Sequence, residues 1–291
     1  MSRTTVQVPT RVLVFGMARA DGTIQPSEVL PVAEACGQSP DQIRSCLRRL
    51  VAEGLFVRRG AGRSGVYEAT PRGLAALGAS VERTRLAYAQ DAAGRGWDRQ
   101  WRLVGFAVPE RNRSSRDAFR ERLRQLGGSA IQAALYVSPH NWHKDVKAVA
   151  ERLGVADQVT VATTDDLEIG GERDPRELAR HLWQLDDLAD RYRKFTNAFA
   201  HVPLDLAALR QQRLRLGDET FLPLALSMAV AFQDCFGRDP LLPPELLPRP
   251  WPGREARELV VTSRRQALAM RQASGLPPLF RLFDEAVEAI P

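Results

Sequence analysis

The sequence contains few of the residues that build disulfide frameworks or metal sites. Among its 291 residues there are three cysteines and four histidines. Cys36, Cys46 and Cys235 are scattered, without the spacing of a disulfide framework or a zinc site. We therefore expect three free thiols in a protein that stays in a reducing compartment.

Long hydrophobic runs are also missing. No window approaches 18 uncharged apolar residues, which excludes a predicted membrane-spanning helix. The first five residues, Met1 to Thr5, lack the apolar core of a signal peptide. These absences predict a cytoplasmic protein that does not associate with a membrane.

Recognisable catalytic motifs are missing as well. The sequence has no G-x-S-x-G elbow, no Walker loop and no C-x-x-C pair. His140 and His143 are three residues apart and, with Asp145, are a conceivable metal set, but no neighbouring cysteine completes it. A histidine in the loop that initiates a helix is the simpler interpretation. We predict no enzyme activity, no catalytic residue, no metal and no cofactor.

The composition that remains is that of an ordinary folded protein with a basic bias. Hydrophobic residues make up 44% and charged residues 26% of the chain, which is typical of globular proteins. The length favours two or three domains. The formal net charge is +6, and residues 1–80 contain ten arginines against six acidic residues. This local excess favours an anionic partner.

The excess of arginine is concentrated around a well-delimited helix. Ser39 suits the N-cap, Pro40 the first helical position, and Gln42 completes a capping box, while Gly54 suits the left-handed residue that follows a helix. The spacing predicts a buried apolar stripe and an opposite polar arc. The stripe contains Ile43, Cys46, Leu47, Leu50 and, less centrally, Val51; the arc contains Asp41, Gln42, Arg44, Ser45, Arg48 and Arg49.

The segments on either side of this helix complete a winged helix-turn-helix pattern. Two helices are predicted before it, over residues 10–20 and 25–36, and a short turn that contains Gly37 leads into it. After it, residues 55–59 and 66–69 alternate as a β-hairpin with a glycine-rich tip. We interpret the hairpin as the wing, although a glycine-arginine loop can also be only a solvated turn.

The rest of the chain predicts a linker and two further domains. Residues 81–99 are polar and look like a connector that is partly helical. The order of elements in residues 100–172 is β-α-β-β-α-β, which is the ferredoxin-like arrangement. Helical spacing then dominates residues 173–291, in segments 174–200, 203–215, 217–236 and 252–270. The predicted fold class is α+β, with a winged helix in residues 1–80.

Several sequence blocks, in order and with their spacing, resemble the PaaX family of transcriptional repressors over residues 10–285. The blocks are Ile43-Arg44-Ser45-Cys46-Leu47-Arg48-Arg49-Leu50-Val51, Trp97-Asp98-Arg99-Gln100-Trp101-Arg102-Leu103-Val104, Ala107-Val108-Pro109-Glu110, Val137-Ser138-Pro139-His140, Pro240-Leu241-Leu242-Pro243-Pro244-Glu245-Leu246-Leu247-Pro248 and Trp251-Pro252-Gly253. The resemblance implies a winged helix, a central domain similar to the Cas2 nucleases and a helical C-terminal domain. It also implies a homodimer that occupies an operator until an aryl-CoA thioester, typically phenylacetyl-CoA, releases it.

Two groups of site residues follow from this interpretation. Arginines of the helix and wing are expected to contact bases and phosphates of duplex DNA. An acyl-CoA effector requires cations for its phosphates and an apolar slot for its aryl group. The predicted DNA-binding residues are Gln42, Arg44, Ser45, Arg48, Arg49, Arg58, Arg59 and Arg63, and the predicted effector-binding residues are Tyr136, His140, Trp142, Arg191, Arg193 and Lys194. The cations of the second group can also be a solvated face, and its aromatics core residues.

Two other functions stay open at this stage. The first is a Cas2-like metal-dependent nuclease, but such nucleases have an aspartate at the end of the first strand of the domain. The sequence there is Phe106-Ala107-Val108-Pro109-Glu110, and Glu110 lies beyond the proline. We expect that the fold is retained without the catalytic site. The second is a protein-interaction module that uses its winged helix to pair with partners.

Overall fold

The computed structural model describes residues 9–60, 65–272 and 275–284. The chain divides into two compact units. The first unit contains Met1–Ala89, Tyr192–Gly237 and Gly253–Pro291, and the second contains Gln90–Arg191 and Arg238–Pro252. Both units are therefore assembled from segments that are distant in sequence.

The N-terminal elements, which belong to the first unit except for the last four residues of the fourth helix, are four helices and a small antiparallel sheet. The helices are α1 Thr10–Gly16, α2 Pro26–Ala35, α3 Pro40–Ala52 and α4 Pro71–Ala93, and the strands are β1 Thr23–Ile24, β2 Phe56–Arg59 and β3 Val66–Ala69. The strand order is β1-β3-β2. In the β2–β3 hairpin, Phe56 faces Ala69 and Arg59 faces Val66, which confirms that the two predicted strands pair as a hairpin. The first predicted helix ends earlier than expected, at Gly16.

The second unit is built on a four-stranded antiparallel sheet. Its strands are β4 Trp101–Phe106, β5 Ser129–Gln132, β6 Leu135–Ser138 and β7 Val159–Thr164, and its helices are α5 Arg113–Gln125, α6 His143–Arg152 and α7 Pro175–Leu182. The strand order in space is β5-β6-β4-β7. This order and the β-α-β-β-α-β sequence of elements confirm the predicted ferredoxin-like arrangement.

The two faces of this sheet are covered by different elements. Phe106 and Tyr136 belong to a buried cluster that includes residues of α5 and α6. Trp101 and Val137 point to the opposite face, where their cluster includes residues of α7 and Leu242 of the proline-rich segment. Neighbouring residues of a strand point to opposite faces, so the central strands β4 and β6 contribute to both clusters. The edge strands β5 and β7 instead largely alternate between partly buried and exposed residues.

The remaining helices are α8 Leu185–Phe199, α9 His201–Gln211, α10 Asp218–Phe236 and α11 Pro252–Met270. They confirm the predicted helical segments, except that the segment 174–200 is divided into α7 and α8. The division occurs at Gln184, whose φ of 49° is left-handed and interrupts the helix. None of the helices in the described part of the chain combines the length and the apolar character needed to span a bilayer.

The largest hydrophobic cluster of the first unit joins its N-terminal and C-terminal segments. Leu13, Ile43 and Leu47 of the N-terminal helices share a cluster with Val202 and Phe221 of the C-terminal helices. The predicted linker is helical as far as Ala93, since α4 is continuous. The compact units thus differ from the four segments predicted from the sequence, which are 1–80, 81–99, 100–172 and 173–291. Those predicted domain boundaries stay a prediction.

Candidate nucleic-acid interface

Helix α3 begins with the capping box that the sequence predicted. The Gln42 backbone N–H donates to Ser39 Oγ at 3.3 Å, and the Ser39 backbone N–H donates to Gln42 Oε1 at 2.7 Å. Pro40 occupies the first turn, where its missing N–H is not needed. The start of the helix is therefore fixed by its own sequence, and each arginine on it has a defined direction.

The other end of α3 is held by residues outside the helix. Arg72 Nη1 donates to the Glu53 carbonyl at 3.0 Å, and Arg11 Nη1 lies 2.8 Å from Glu53 Oε2. Gly54 follows with a φ of 70°. Cations near the carboxyl end of a helix are favourable because the helix dipole is negative there. Arg11 and Arg72 entered the sequence prediction only as part of the charge count, since their distance from the helix in sequence hides this positioning role.

The two sides of α3 differ as predicted. Ile43, Cys46, Leu47 and Leu50 are buried against the core, whereas Val51 is 37% exposed and lies outside the stripe to which the sequence assigned it. Arg44, Arg48 and Arg49 are exposed, and we call these three residues the α3 cationic face. Arg44 Nη2 pairs with Asp41 Oδ1 at 2.7 Å, an exposed ion pair that contributes little to stability.

The other two residues of this helix that were predicted to contact DNA, Ser45 and Gln42, differ in exposure and in hydrogen bonding. Ser45 is partly exposed beside the cationic face. Gln42 is exposed, but its Oε1 atom accepts the hydrogen bond of the capping box. The side-chain amide N–H groups of Gln42 are then the atoms that it can offer to a base, so its predicted DNA contact has to be compatible with the cap.

Two of the three predicted wing arginines lie on β2 of the hairpin. Arg58 and Arg59 are exposed near the end of β2, and Arg59 Nε lies 3.2 Å from Glu68 Oε2 on β3. Arg63, the third, lies outside the described residues. Residues Arg58 and Arg59 carry positive charge in the same compact unit as α3, as the interpretation of the hairpin requires.

Two of the predicted effector-binding residues are core residues of the second unit. Tyr136 is 1% exposed and Trp142 is 2% exposed, and they share one hydrophobic cluster. A Cβ atom on Gly128 would lie 2.3 Å from the Trp142 ring, so this ring is packed directly against backbone. Their burial agrees with the alternative given in the sequence analysis, in which these two aromatic side chains are core residues.

The other four predicted effector residues are spread over both units. His140 Nε2 lies 3.0 Å from the Pro240 carbonyl in the second unit, which ties the loop after β6 to the proline-rich segment. Arg191 belongs to the second unit, while Arg193 and Lys194 are exposed residues of α8 in the first. The structure thus brings Tyr136 and Trp142 together within one unit, whereas Arg193 and Lys194 belong to the other.

The histidines and acidic residues of the described ranges do not form a metal-binding cluster. No group of three or more His, Cys, Asp or Glu side chains that could hold a metal ion occurs there. Burial lowers the pKa of His143, which favours its neutral form. Glu110, the residue weighed for a nuclease site, lies at the start of a short 3₁₀ helix, with its Oε2 atom 2.6 Å from Arg116 Nη1.

Two family models and two individual proteins are similar to this chain. A family model for the PaaX protein central Cas2-like domain matches residues 94–179, and one for the PaaX-like protein C-terminal domain matches residues 183–273. The transcriptional repressor PaaX of Escherichia coli (strain K12) is 26% identical over 247 residues, which cover 84% of this chain and 74% of that protein. Uncharacterized protein Rv0674 from Mycobacterium tuberculosis, a solved structure, is 22% identical, with a TM-score of 0.47 and coverage of 89% of this chain and 90% of that one.

The two family models together cover more than half of the chain. The first of them spans the four-stranded sheet with α5 and α6, where the order of elements along the chain was predicted to be that of a ferredoxin-like domain. The chain therefore belongs to the PaaX family.

Proposed function

We propose that this chain is a transcriptional repressor that binds an operator as a homodimer and is released by an aryl-CoA thioester, with phenylacetyl-CoA as the first candidate. It would control genes of aromatic catabolism from the cytoplasm. In this proposal α1, α2 and α3 with the β2–β3 hairpin form a winged helix-turn-helix. The printed name of the Escherichia coli relative supports the repressor function.

The observation that carries the DNA-binding proposal is the α3 cationic face. Its three arginines are exposed on one side of a helix whose other side is buried. A helix of this kind fits the major groove, where an arginine can donate two hydrogen bonds to O6 and N7 of guanine. Arg44, Ser45, Arg48 and Arg49 are the proposed base-reading residues, with Gln42 beside them.

The hairpin supports the same proposal through contacts of a different type. Arg58, Arg59 and Arg63 are proposed to bind phosphates, which fixes position without reading the sequence. Two such surfaces in a homodimer would meet an inverted repeat whose half-sites are about one helical turn, or a multiple of it, apart.

The proposed function is tested by a gel shift on the promoter upstream of the chain's own gene. The DNA is titrated with the purified full chain, and the complex is then titrated with phenylacetyl-CoA, other aryl-CoA esters and the free acids. We expect a shift that one class of thioester reverses. A shift that no ligand reverses would contradict the proposed aryl-CoA effector. The lack of any shift at low salt would contradict the proposed binding to this promoter.

A further inference from the structure

A cavity of about 470 Å³ lies within the first compact unit. Its walls are formed by α1, α4, α10, α11 and the segment around Phe280. Its volume falls in the range of about 300–1,000 Å³ that is typical of small-molecule sites. None of the effector-binding residues predicted from the sequence lines it. It is therefore a separate candidate for a ligand site.

Aromatic rings are prominent in the lining of the cavity. Six phenylalanines contribute to it, and they come from α1, α10 and the C-terminal segment: Phe15, Phe221, Phe232, Phe236, Phe280 and Phe283. Aromatic rings pack favourably against one another edge to face or with an offset. A cavity of this composition suits a flat apolar group better than a sugar, a nucleotide base or a free phosphate.

Two polar groups of the cavity wall can pair with an anionic or hydrogen-bonding group of a ligand. Arg11 lines it, and the Arg11 guanidinium carbon lies 5.2 Å from the centre of the Phe15 ring. Ser263 also lines it, is 2% exposed, and has a hydroxyl without a hydrogen-bond partner among the described residues. A buried hydroxyl without a partner is unfavourable, and a ligand that accepts or donates a hydrogen bond would offset this cost.

We propose that this cavity binds the aryl-acyl part of the effector, with the anionic remainder of the molecule directed toward Arg11. The inference rests on the proposed function in so far as the ligand acts on DNA binding. The chemistry that a free arylacetic acid and its CoA thioester share is the arylacetyl group. The anionic group of the acid is a carboxylate next to the ring, whereas the anionic groups of the thioester are phosphates beyond the pantetheine arm, and the test has to separate the two ligands.

Arg11 connects the cavity to the proposed recognition helix. It lines the cavity and also forms the ion pair with Glu53 at the end of α3. An anionic ligand competes with Glu53 for the same guanidinium, so that binding loosens one attachment of α3. Arg11 lies near the start of α1, and the end of this helix is held by the hydrogen bond that the Phe280 backbone N–H donates to the Gly16 carbonyl. A ligand that enters between these elements therefore has a direct route to change the position of α3.

The test begins with calorimetric titration of the full chain, in the absence of DNA, with phenylacetyl-CoA, phenylacetate and CoA as separate probes. We expect phenylacetyl-CoA to bind and CoA alone to bind more weakly, and the phenylacetate arm shows whether the free acid suffices. Hydrogen exchange on the same samples is expected to show slower exchange in α1, α10 and α11. Saturable binding without any protection in these helices would overturn the location.

Cavity-filling variants test the location independently. Ala229 lies on the wall, and Ala229→Phe places a ring in the cavity, whereas Thr220→Phe places the same ring on an exposed position of α10 outside it. We expect Ala229→Phe to weaken ligand binding by about tenfold or more and Thr220→Phe to leave ligand binding unchanged. If Ala229→Phe fails to fold, Ala225→Phe fills the same cavity from one turn away.

The outcomes separate this inference from the proposed function. A folded Ala229→Phe variant with wild-type affinity for the ligand would overturn the cavity as the site, even if the protein binds its operator. Absence of binding by all three probes would also overturn it. If the protein does not bind DNA but binds the ligand, and Ala229→Phe abolishes that ligand binding, the result would support the cavity as the ligand site and contradict the proposed repressor function.

Discussion

At the scale of single residues, the proposed interface depends on which arginines read bases and which only bind phosphate. Arg48 lies in the middle of α3 and belongs to the exposed arc, while Arg59 lies at the end of β2 and pairs with Glu68. We propose that the first contacts bases in a groove and that the second contacts the phosphate backbone of the duplex. The two types of contact respond differently to changes in DNA sequence and salt.

Arg48→Ala is expected to weaken operator binding by about 1–3 kcal/mol and to relax the base preference at one position of each half-site. The reason is the loss of a bidentate contact to guanine. Fluorescence anisotropy with the operator and with single-base variants measures both effects. Arg85→Ala, which removes an exposed charge from α4, is the matched control. Equal loss of affinity for every sequence would contradict the assignment of Arg48 to base reading.

Arg59→Ala is expected to weaken binding to all sequences alike. Each phosphate contact that is lost releases one counterion fewer, so the slope of log K against log salt becomes less steep by about one unit. Anisotropy titrations at several salt concentrations, on operator and random duplexes, check this. A salt slope identical to that of the wild type would show that Arg59 does not contact phosphate.

Local chemistry made some of these residues predictable and left others hidden. The capping box of Ser39 and Gln42 was visible because both partners lie within one helical turn. The burial of Tyr136 and Trp142 was not, since an aromatic residue in a core and one in a ligand slot have the same local pattern. Arg11 was missed as a positioning residue because its partner Glu53 is 42 residues away.

At the scale of elements, the start of α4 shows how closely a helix can approach a strand. A Cβ atom on Gly73 would lie 2.0 Å from the Leu55 carbonyl oxygen, immediately before β2. A Cβ atom on Gly78, one to two turns later in the same helix, would have no atom within 4 Å. Glycine is therefore required for packing at the first position and is only a poor helix former at the second.

The two glycines of α4 give a matched pair of substitutions. Gly78→Ala is expected to raise the free energy of unfolding by about 0.5–1 kcal/mol, because alanine loses less backbone entropy in a helix. Gly73→Ala is expected to lower it by about 1–3 kcal/mol, since backbone on both sides must move apart. Urea unfolding followed by circular dichroism measures both. A Gly73→Ala variant as stable as Gly78→Ala would contradict the close packing of α4 on Leu55.

The elements were largely predictable, and their extents were less so. The hairpin, the β-α-β-β-α-β order and the C-terminal helices followed from periodicity and from glycine and proline positions. Helix α4 continues to Ala93 through residues that the sequence assigned to a connector, because polar helical residues and polar loop residues have similar composition. Where a helix is stabilised by packing against a distant element, its end is not encoded locally.

At the scale of the whole molecule, the first compact unit is held together by contacts between its N-terminal and C-terminal segments. Glu28 on α2 pairs with Arg19 and also with Arg281, which lies 253 residues later, at 2.6 Å. The hydrogen bond from Arg19, followed by that from Arg281, holds the pKa of Glu28 below its usual value. Such long-range pairs join segments that the sequence pattern assigns to separate domains.

This cluster predicts a dependence of stability on pH. Since the pKa of Glu28 is lower in the folded protein than in the unfolded chain, its ionised form stabilises the fold above about pH 4.3. That contribution decreases as the pH falls through the folded pKa. Glu28→Gln is expected to lower the free energy of unfolding at pH 7 by about 1–3 kcal/mol. The difference from the wild type should shrink below pH 4 in urea titrations, and a constant difference would contradict the ion-pair explanation.

The shared core explains why the predicted domain boundaries and the compact units differ. Leu47 of α3 and Phe221 of α10 belong to one cluster, and nothing in the periodicity of either helix indicates that the two are neighbours. Periodicity identifies which side of a helix is buried and not what covers it. The cavity lined by α1 and α10 was unpredictable for the same reason.

The central claim is that the α3 cationic face binds duplex DNA, and operator affinity of the doubly substituted full chain tests it most directly. Anisotropy is measured on the upstream promoter with wild type, with Arg48→Ala/Arg49→Ala and with the control Arg85→Ala, all checked for folding by circular dichroism. The account predicts salt-dependent binding for wild type and control and loss of specific binding in the double variant. Equal affinity of all three proteins for the operator would contradict it.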